Sequence, residues 1–180
     1  MWREGVLRIG SLPKNVLEPS CGTGNLLNPI PKDFEGRIVA IEIIERYLNI
    51  ARKRYKNVEF ILGDFLSQEI NDKFDLILMN PPFSERDPRS GCTLFIERAF
   101  ELLSNRGRIV SVVSDYYLVN SEKRKRWLFD KIERIYWLPK MSFNRPLWIA
   151  VVVITKKIFC DPYCIFFDDN ESQRMLFEER

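Results

Sequence analysis

The chain has no histidine, no apolar run long enough to cross a bilayer and no linker-like stretch between its ends, and its net charge is only +3 over 180 residues. The longest apolar runs, "WIAVVVIT" and "DLILM", fall well short of the roughly 20 residues that a membrane helix needs. The opening "MWREGVLRIG" lacks the long apolar segment of a signal peptide, so a cytoplasmic protein without membrane association is expected. Without histidine, a zinc site would rest on thiols. Cys21, Cys92, Cys160 and Cys164 are irregularly spaced, and Cys160 with Cys164 alone makes a poor site, so no metal is expected and a reducing compartment is. The length suffices for one sizeable core, and one domain over residues 1–180 is expected.

The charge is small but uneven. Residues 1–120 balance sixteen basic against sixteen acidic side chains, residues 121–157 carry ten against three, and the remainder carries two against six. The excess gathers in "SEKRKRW" and after it. A basic run on a helix is ordinarily a solvated face, with a phosphate contact through Lys123 and Arg124 as the sharper alternative.

What is present is an alternation of strand and helix signals. "NVLEPS", "RIVAIEI", "VEFILGD", "FDLILMN", "GRIVSVVS", "IERIYWL" and "WIAVVVITK" read as seven strands, with "YCIFF" as an apparent extra one. "ERYLNIARKRY", "CTLFIERAFELLSN" and "EKRKRWLFDKI" space their apolar residues as helices, the second stopping near Asn105 to Gly107. Continuous Val/Ile/Leu strands alternating with helices predict an α/β fold with a mostly parallel sheet covered on both faces, its ligand crevice beyond the carboxyl ends of the strands.

That rule collects four segments. "EPSCGTG" follows the first strand, Glu42 ends the second, "GDF" ends the third and "NPPF", Asn80 to Phe83, ends the fourth. Gly22 and Gly24 leave the first turn without side chains, so a ligand can come close to its backbone. A dinucleotide fingerprint would place a third glycine where Leu27 stands, and Glu18 beside the turn would repel phosphates while suiting a cationic or amine-bearing ligand. Glu42, about twenty residues beyond the glycines, has the spacing at which a carboxylate reaches ribose hydroxyls. Asp64 suits an exocyclic amine and Phe65 the face of a base, although a Gly-Asp turn is also ordinary loop chemistry. Pro81 and Pro82 make a stiff loop that cannot extend the strand.

A ligand with ribose, an adenine amine and a positive centre but no phosphate describes S-adenosylmethionine. "EPSCGTG", Glu42, "GDF" and "NPPF" resemble the successive motifs of the amino-methyltransferases, over roughly residues 16 to 157, in the motif order that includes many DNA adenine-N6 methyltransferases. The resemblance implies a seven-stranded, mostly parallel Rossmann-like methyltransferase sheet with helices on both faces. It implies cofactor contacts from Glu18, Pro19, Cys21, Gly22, Gly24, Glu42, Ile43, Asp64, Phe65 and Asn80, and catalysis by Asn80, Pro81, Pro82 and Phe83. In this reading the Asn80 side-chain oxygen and the Pro81 carbonyl accept from the target amine while Phe83 stacks on it. The implied substrate is a nucleic-acid base, adenine N6 in DNA before an RNA base (adenine N6 or guanine N2). A protein glutamine or a non-catalytic cofactor-binding subunit comes after these.

Three departures stand out. Only about sixteen residues precede the first strand, where the resemblance implies a segment closing over the methionine end of the cofactor, so that lid is expected to be missing, truncated or supplied by a partner subunit. Pro29 and Pro31 limit the helix after the glycines to about one turn, which leaves one face of the sheet thinly covered near the cofactor. No target-recognition domain is evident, so specificity is expected from loops, with Arg86 and Arg89 as local candidates for a substrate backbone, or from a partner subunit.

Overall fold

In the computed structural model, residues 1–82, 91–114, 130–138, 149–157 and 163–166 are described. Their strands are β1 (Asn15–Glu18), β2 (Arg37–Glu42), β3 (Glu59–Leu62), β4 (Phe74–Met79), β5 (Leu103–Ser114), β6 (Ile132–Leu138), β7 (Ile149–Ile154) and β8 (Tyr163–Phe166). They form one sheet in the order β3-β2-β1-β4-β5-β7-β6-β8. The pairings are parallel except those of β7, which runs antiparallel to both β5 and β6. All seven strands read from the sequence are therefore present, and the "YCIFF" run supplies an eighth at the edge beside β6.

The pleat explains the near-continuous apolar strands. Leu17, Val39, Ile41, Ile77 and Met79 point to one face, and Val16, Ile38, Ala40, Leu76 and Leu78 to the other, so both parities must be apolar. Helix α3 (Gly91–Leu102) covers the first face with Phe95, Ile96, Ala99 and Leu102, residues at helical spacing. It ends three residues before the expected Asn105 stop because β5 pairing begins at once, with a register shift opposite Phe74 and Leu76. Helix α2 (Glu45–Arg54) covers the second face with Leu48 and Ala51. Glu45 in its first turn and Arg52, Lys53 and Arg54 in its last suit the helix dipole. The third expected helix, over "EKRKRWLFDKI", lies largely outside the described residues. No helix among the described residues is long and apolar enough to cross a membrane.

The second face is better covered than the prolines suggest. After the short 3₁₀ turn at Asn25–Leu27 the chain is irregular, as expected, but an N-terminal helix, α1 (Trp2–Ile9), lies on the same face. Trp2 is buried and meets Phe34 edge-on at 5.2 Å, and the Tyr136 hydroxyl donates to Glu4, which also pairs with Arg8 at 3.1 Å. A Cβ on Gly5 would lie 2.3 Å from Leu76 Cδ1 and 3.3 Å from its Cγ, so only glycine lets α1 approach the sheet this closely. Leu76 is fully buried and has nowhere to retreat. Gly5→Ala should therefore destabilise the fold by about 1–2 kcal/mol despite alanine's better helix propensity, because overpacking outweighs it. Urea unfolding checks this; a variant as stable as the parent would show that α1 floats.

Candidate active site

Because β3, β2, β1 and β4 are neighbours and parallel, their carboxyl ends lie side by side, and so do the four segments picked out in the sequence. Glu18 and Glu42 share the pleat phase of Val16, Ala40 and Leu78, and Asn80 continues that phase one residue past β4.

Glu42 organises the glycine turn. Its Oε2 accepts the Gly22 amide at 2.7 Å and its Oε1 the Ile44 amide at 2.8 Å, and the residue as a whole is 7 % exposed. The Cys21 amide donates to the Ile41 carbonyl at 2.9 Å, so the turn is laced to the end of β2. Cys21 is buried, and burial, with Glu18 and Glu42 nearby, pushes its thiol well above the ordinary range, so it is no nucleophile.

The two glycines have different jobs. Gly22 (φ +52) has open space where a side chain would be, as expected of a backbone that a ligand approaches. Gly24 (φ +87) faces inward: a Cβ there would lie 2.6 Å from the Tyr55 ring. Its glycine serves packing against α2.

Glu18 is the oddest residue of the crevice. It is 1 % exposed; its Oε1 accepts the Ser20 amide at 3.4 Å, and its Oε2 has no hydrogen-bond partner. Burial raises its carboxyl well above the usual range; the Ser20 amide offsets part of that rise and the Glu42 charge adds a smaller one. A buried carboxyl oxygen left without a partner suits a cation or amine, a class that includes the ammonium group of S-adenosylmethionine. Pro19 beside it is buried. Ile43 stands 64 % exposed directly after Glu42, an apolar surface beside a carboxylate suited to ribose. Asp64 is exposed and its Oδ1 accepts the Leu66 amide at 3.0 Å. These residues fit the cofactor.

Phe65 does not do what its position suggested. Its ring is 1 % exposed and packs against Phe95 of α3 at 5.2 Å, so it anchors the Asp64 turn in the core instead of covering a base. Of the tetrapeptide, Asn80 and Pro82 are exposed and Pro81 is buried; Phe83, Arg86, Arg89, Lys123 and Arg124 lie outside the described residues.

One contact ties the two halves of the site together. The Ser20 hydroxyl donates to the Asn80 backbone carbonyl at 3.3 Å, bridging the glycine turn to the proline turn. Sequence reading passed over Ser20 because its partner is a backbone atom 60 positions away, which no spacing rule reveals.

Comparison with known proteins agrees with this geometry. Residues 13–143 match the family described as methyltransferase domain. The type II methyltransferase M.CvrRI of Paramecium bursaria Chlorella virus XZ-6E is 43% identical over 75 residues, which are 41% of this chain and 20% of that protein. The type II methyltransferase M.AccI of Acinetobacter calcoaceticus is 24% identical over 173 residues, 82% of this chain and 30% of its own length. The chain thus spans a third or less of either relative. Among solved structures, the N-methyltransferase NodS of Bradyrhizobium japonicum WM9 superposes with a TM-score of 0.62 at 18% identity, covering 86% of this chain and 92% of that one, a likeness of fold.

Proposed function

The chain belongs to the methyltransferase domain family, with S-adenosylmethionine as its cofactor, and from that premise we propose that it methylates an exocyclic amine of a nucleic-acid base, adenine N6 in DNA foremost. The observation that carries the reading is the Ser20 to Asn80 link, which sets an amide-bearing, proline-stiffened turn beside the cofactor crevice.

When bound, S-adenosylmethionine supplies an electrophilic methyl group. The chain's own residues do the rest. The Asn80 side-chain oxygen and the Pro81 carbonyl accept hydrogen bonds from the target NH2, which raises electron density on its nitrogen as the new bond forms. Pro81 and Pro82 fix these acceptors, and Phe83 stacks on the base. The proton leaves to water after transfer, so a chain without histidine needs no general base. Glu18 meets the cofactor's ammonium, Glu42 its ribose, Ile43 and Asp64 its adenine; Pro19, Cys21, Gly22, Gly24 and the backbone of Phe65 shape the seat.

DNA is favoured by the relatives named as type II methyltransferases. Flipping a base from a duplex costs a few kcal/mol, and Arg86, Arg89, Lys123 and Arg124 are the phosphate contacts we assign to help offset it. Both curated relatives extend far beyond the matched segment, so we place target recognition outside it, in further chain or in a partner subunit, with residues 1–180 as one cytoplasmic catalytic domain.

The test is transfer of tritiated methyl from S-adenosylmethionine to duplex DNA, single-stranded DNA, total RNA and a protein extract, with base analysis of the labelled product. Label in DNA recovered as N6-methyladenine is expected. Label confined to RNA or to protein would replace the substrate, and binding of the cofactor without transfer to any polymer would make the chain a cofactor-binding subunit.

A further inference from the structure

On the α2 side of the sheet, away from the crevice, a cavity of about 540 Å³ opens between the proline-broken segment after the glycine turn and the C-terminal end of α2. That volume lies in the range of small-molecule sites. None of the residues placed in the cofactor and acceptor sites lines it. Its origin is legible in the chain: Pro29 and Pro31 end the 3₁₀ turn, so where a continued helix would pack beside α2 the chain arcs away and leaves a hollow.

The chemistry of the walls is lopsided. Ile30 and Ile38 are buried and form, with Phe34 and Val58, an apolar floor. Lys32, Arg54 and Lys56 line the cavity and no carboxylate does. Asp33 and Glu35, exposed on the segment that carries Lys32, are not among the lining residues, and Glu59 is paired with Arg37 at 2.8 Å, which also holds Asp72 at 2.7 Å. An apolar floor beside three lining cations, with no carboxylate among the lining residues, favours an anion in a space of ligand size. We propose that this cavity is a second binding site, for a small anion carrying an apolar ring system.

The wall it would touch is the back of the cofactor seat. Arg54 Nη1 donates to the Thr23 carbonyl at 2.9 Å and to Asn25 Oδ1 at 3.1 Å, inside the glycine turn. Tyr55 occupies the space a Gly24 side chain would need, and its hydroxyl is buried without a hydrogen-bond partner. A ligand that draws on Arg54 or resettles Tyr55 therefore changes the free energy of the turn that holds the cofactor, and by linkage the cofactor changes the affinity of the ligand.

The probe is 8-anilinonaphthalene-1-sulfonate, an aryl anion that fluoresces in apolar surroundings, titrated into the full chain. One site is expected, weakened by rising salt. Lys32→Glu with Lys56→Glu, both at exposed positions, should lower its affinity by about tenfold or more while the far-ultraviolet circular dichroism of the parent is retained. Saturating S-adenosylhomocysteine should shift the affinity without abolishing binding. Affinity unchanged in the double variant and insensitive to salt would overturn the proposal. So would complete displacement by S-adenosylhomocysteine, or equal binding of neutral N-phenyl-1-naphthylamine to parent and variant alongside an unchanged anion. The readout is binding at a site apart from the crevice, so it stands or falls independently of methyl transfer.

Discussion

Asn80→Ala is expected to lower single-turnover methyl transfer by about a hundred- to a thousandfold, the loss typical when one preorganised hydrogen-bond partner of a developing charge is removed. The expectation is specific because of where Asn80 sits. Its side chain is exposed at the end of β4, so truncation removes no core packing and should leave stability within about 0.5 kcal/mol. Its backbone carbonyl is held by the Ser20 hydroxyl, a contact that alanine keeps. The turn should therefore survive with its acceptor gone. Affinity for S-adenosylhomocysteine, read by calorimetry, should fall far less than the rate does, because the amide accepts chiefly from the target amine, which that ligand lacks. A variant that transfers methyl at more than a third of the parental rate would remove the amide from the mechanism.

Much of this site was legible in the sequence, and the parts that were not share a cause. The strands could be read because they are buried on both faces, which forces unbroken runs such as "RIVAIE" and "FDLILM" that only a covered sheet explains. Once strands and helices alternate, the crevice follows from topology, and Glu18, Glu42 and Asn80 fall at its rim without further information. Side-chain direction did not follow. Phe65 stands beside Asp64 in sequence, yet its ring goes to Phe95, because the third strand's exit turns it inward. Gly24 looked like room for a ligand and proved to be room for Tyr55. Helix α1 has no side-chain cap at Met1 and a glycine at its centre; Gly10 closes it and Glu4 pairs with Arg8, but its place on the sheet comes from Trp2, Gly5 and Glu4 meeting distant partners, which local signals do not encode.

Glu18→Gln should do two opposite things, and the pair of effects is the sharpest test of the crevice. In the folded chain the carboxyl is buried with Oε2 unpartnered and its pKa is raised well above the value of 4.5 it has when exposed. The native state then holds a proton that the unfolded chain releases, so Glu18 costs nothing below that value and destabilises progressively as pH climbs from it through the raised folded pKa. Glutamine keeps the shape and the Ser20 contact without a charge to bury. The variant should melt at a higher temperature than the parent at neutral pH, with the gap shrinking toward zero as pH approaches about 4.5. Cofactor binding should move the other way. The ammonium of S-adenosylhomocysteine loses a charged partner, worth about 1.5–3 kcal/mol, so its affinity should fall roughly ten- to 150-fold. The parent's affinity should rise with pH over the same window, since binding releases the Glu18 proton, and the variant's should be flat. A variant that melts lower than the parent at every pH would mean that the carboxylate is satisfied in the folded chain. A variant that melts higher but binds S-adenosylhomocysteine as tightly would keep the buried charge and move the ammonium elsewhere in the crevice.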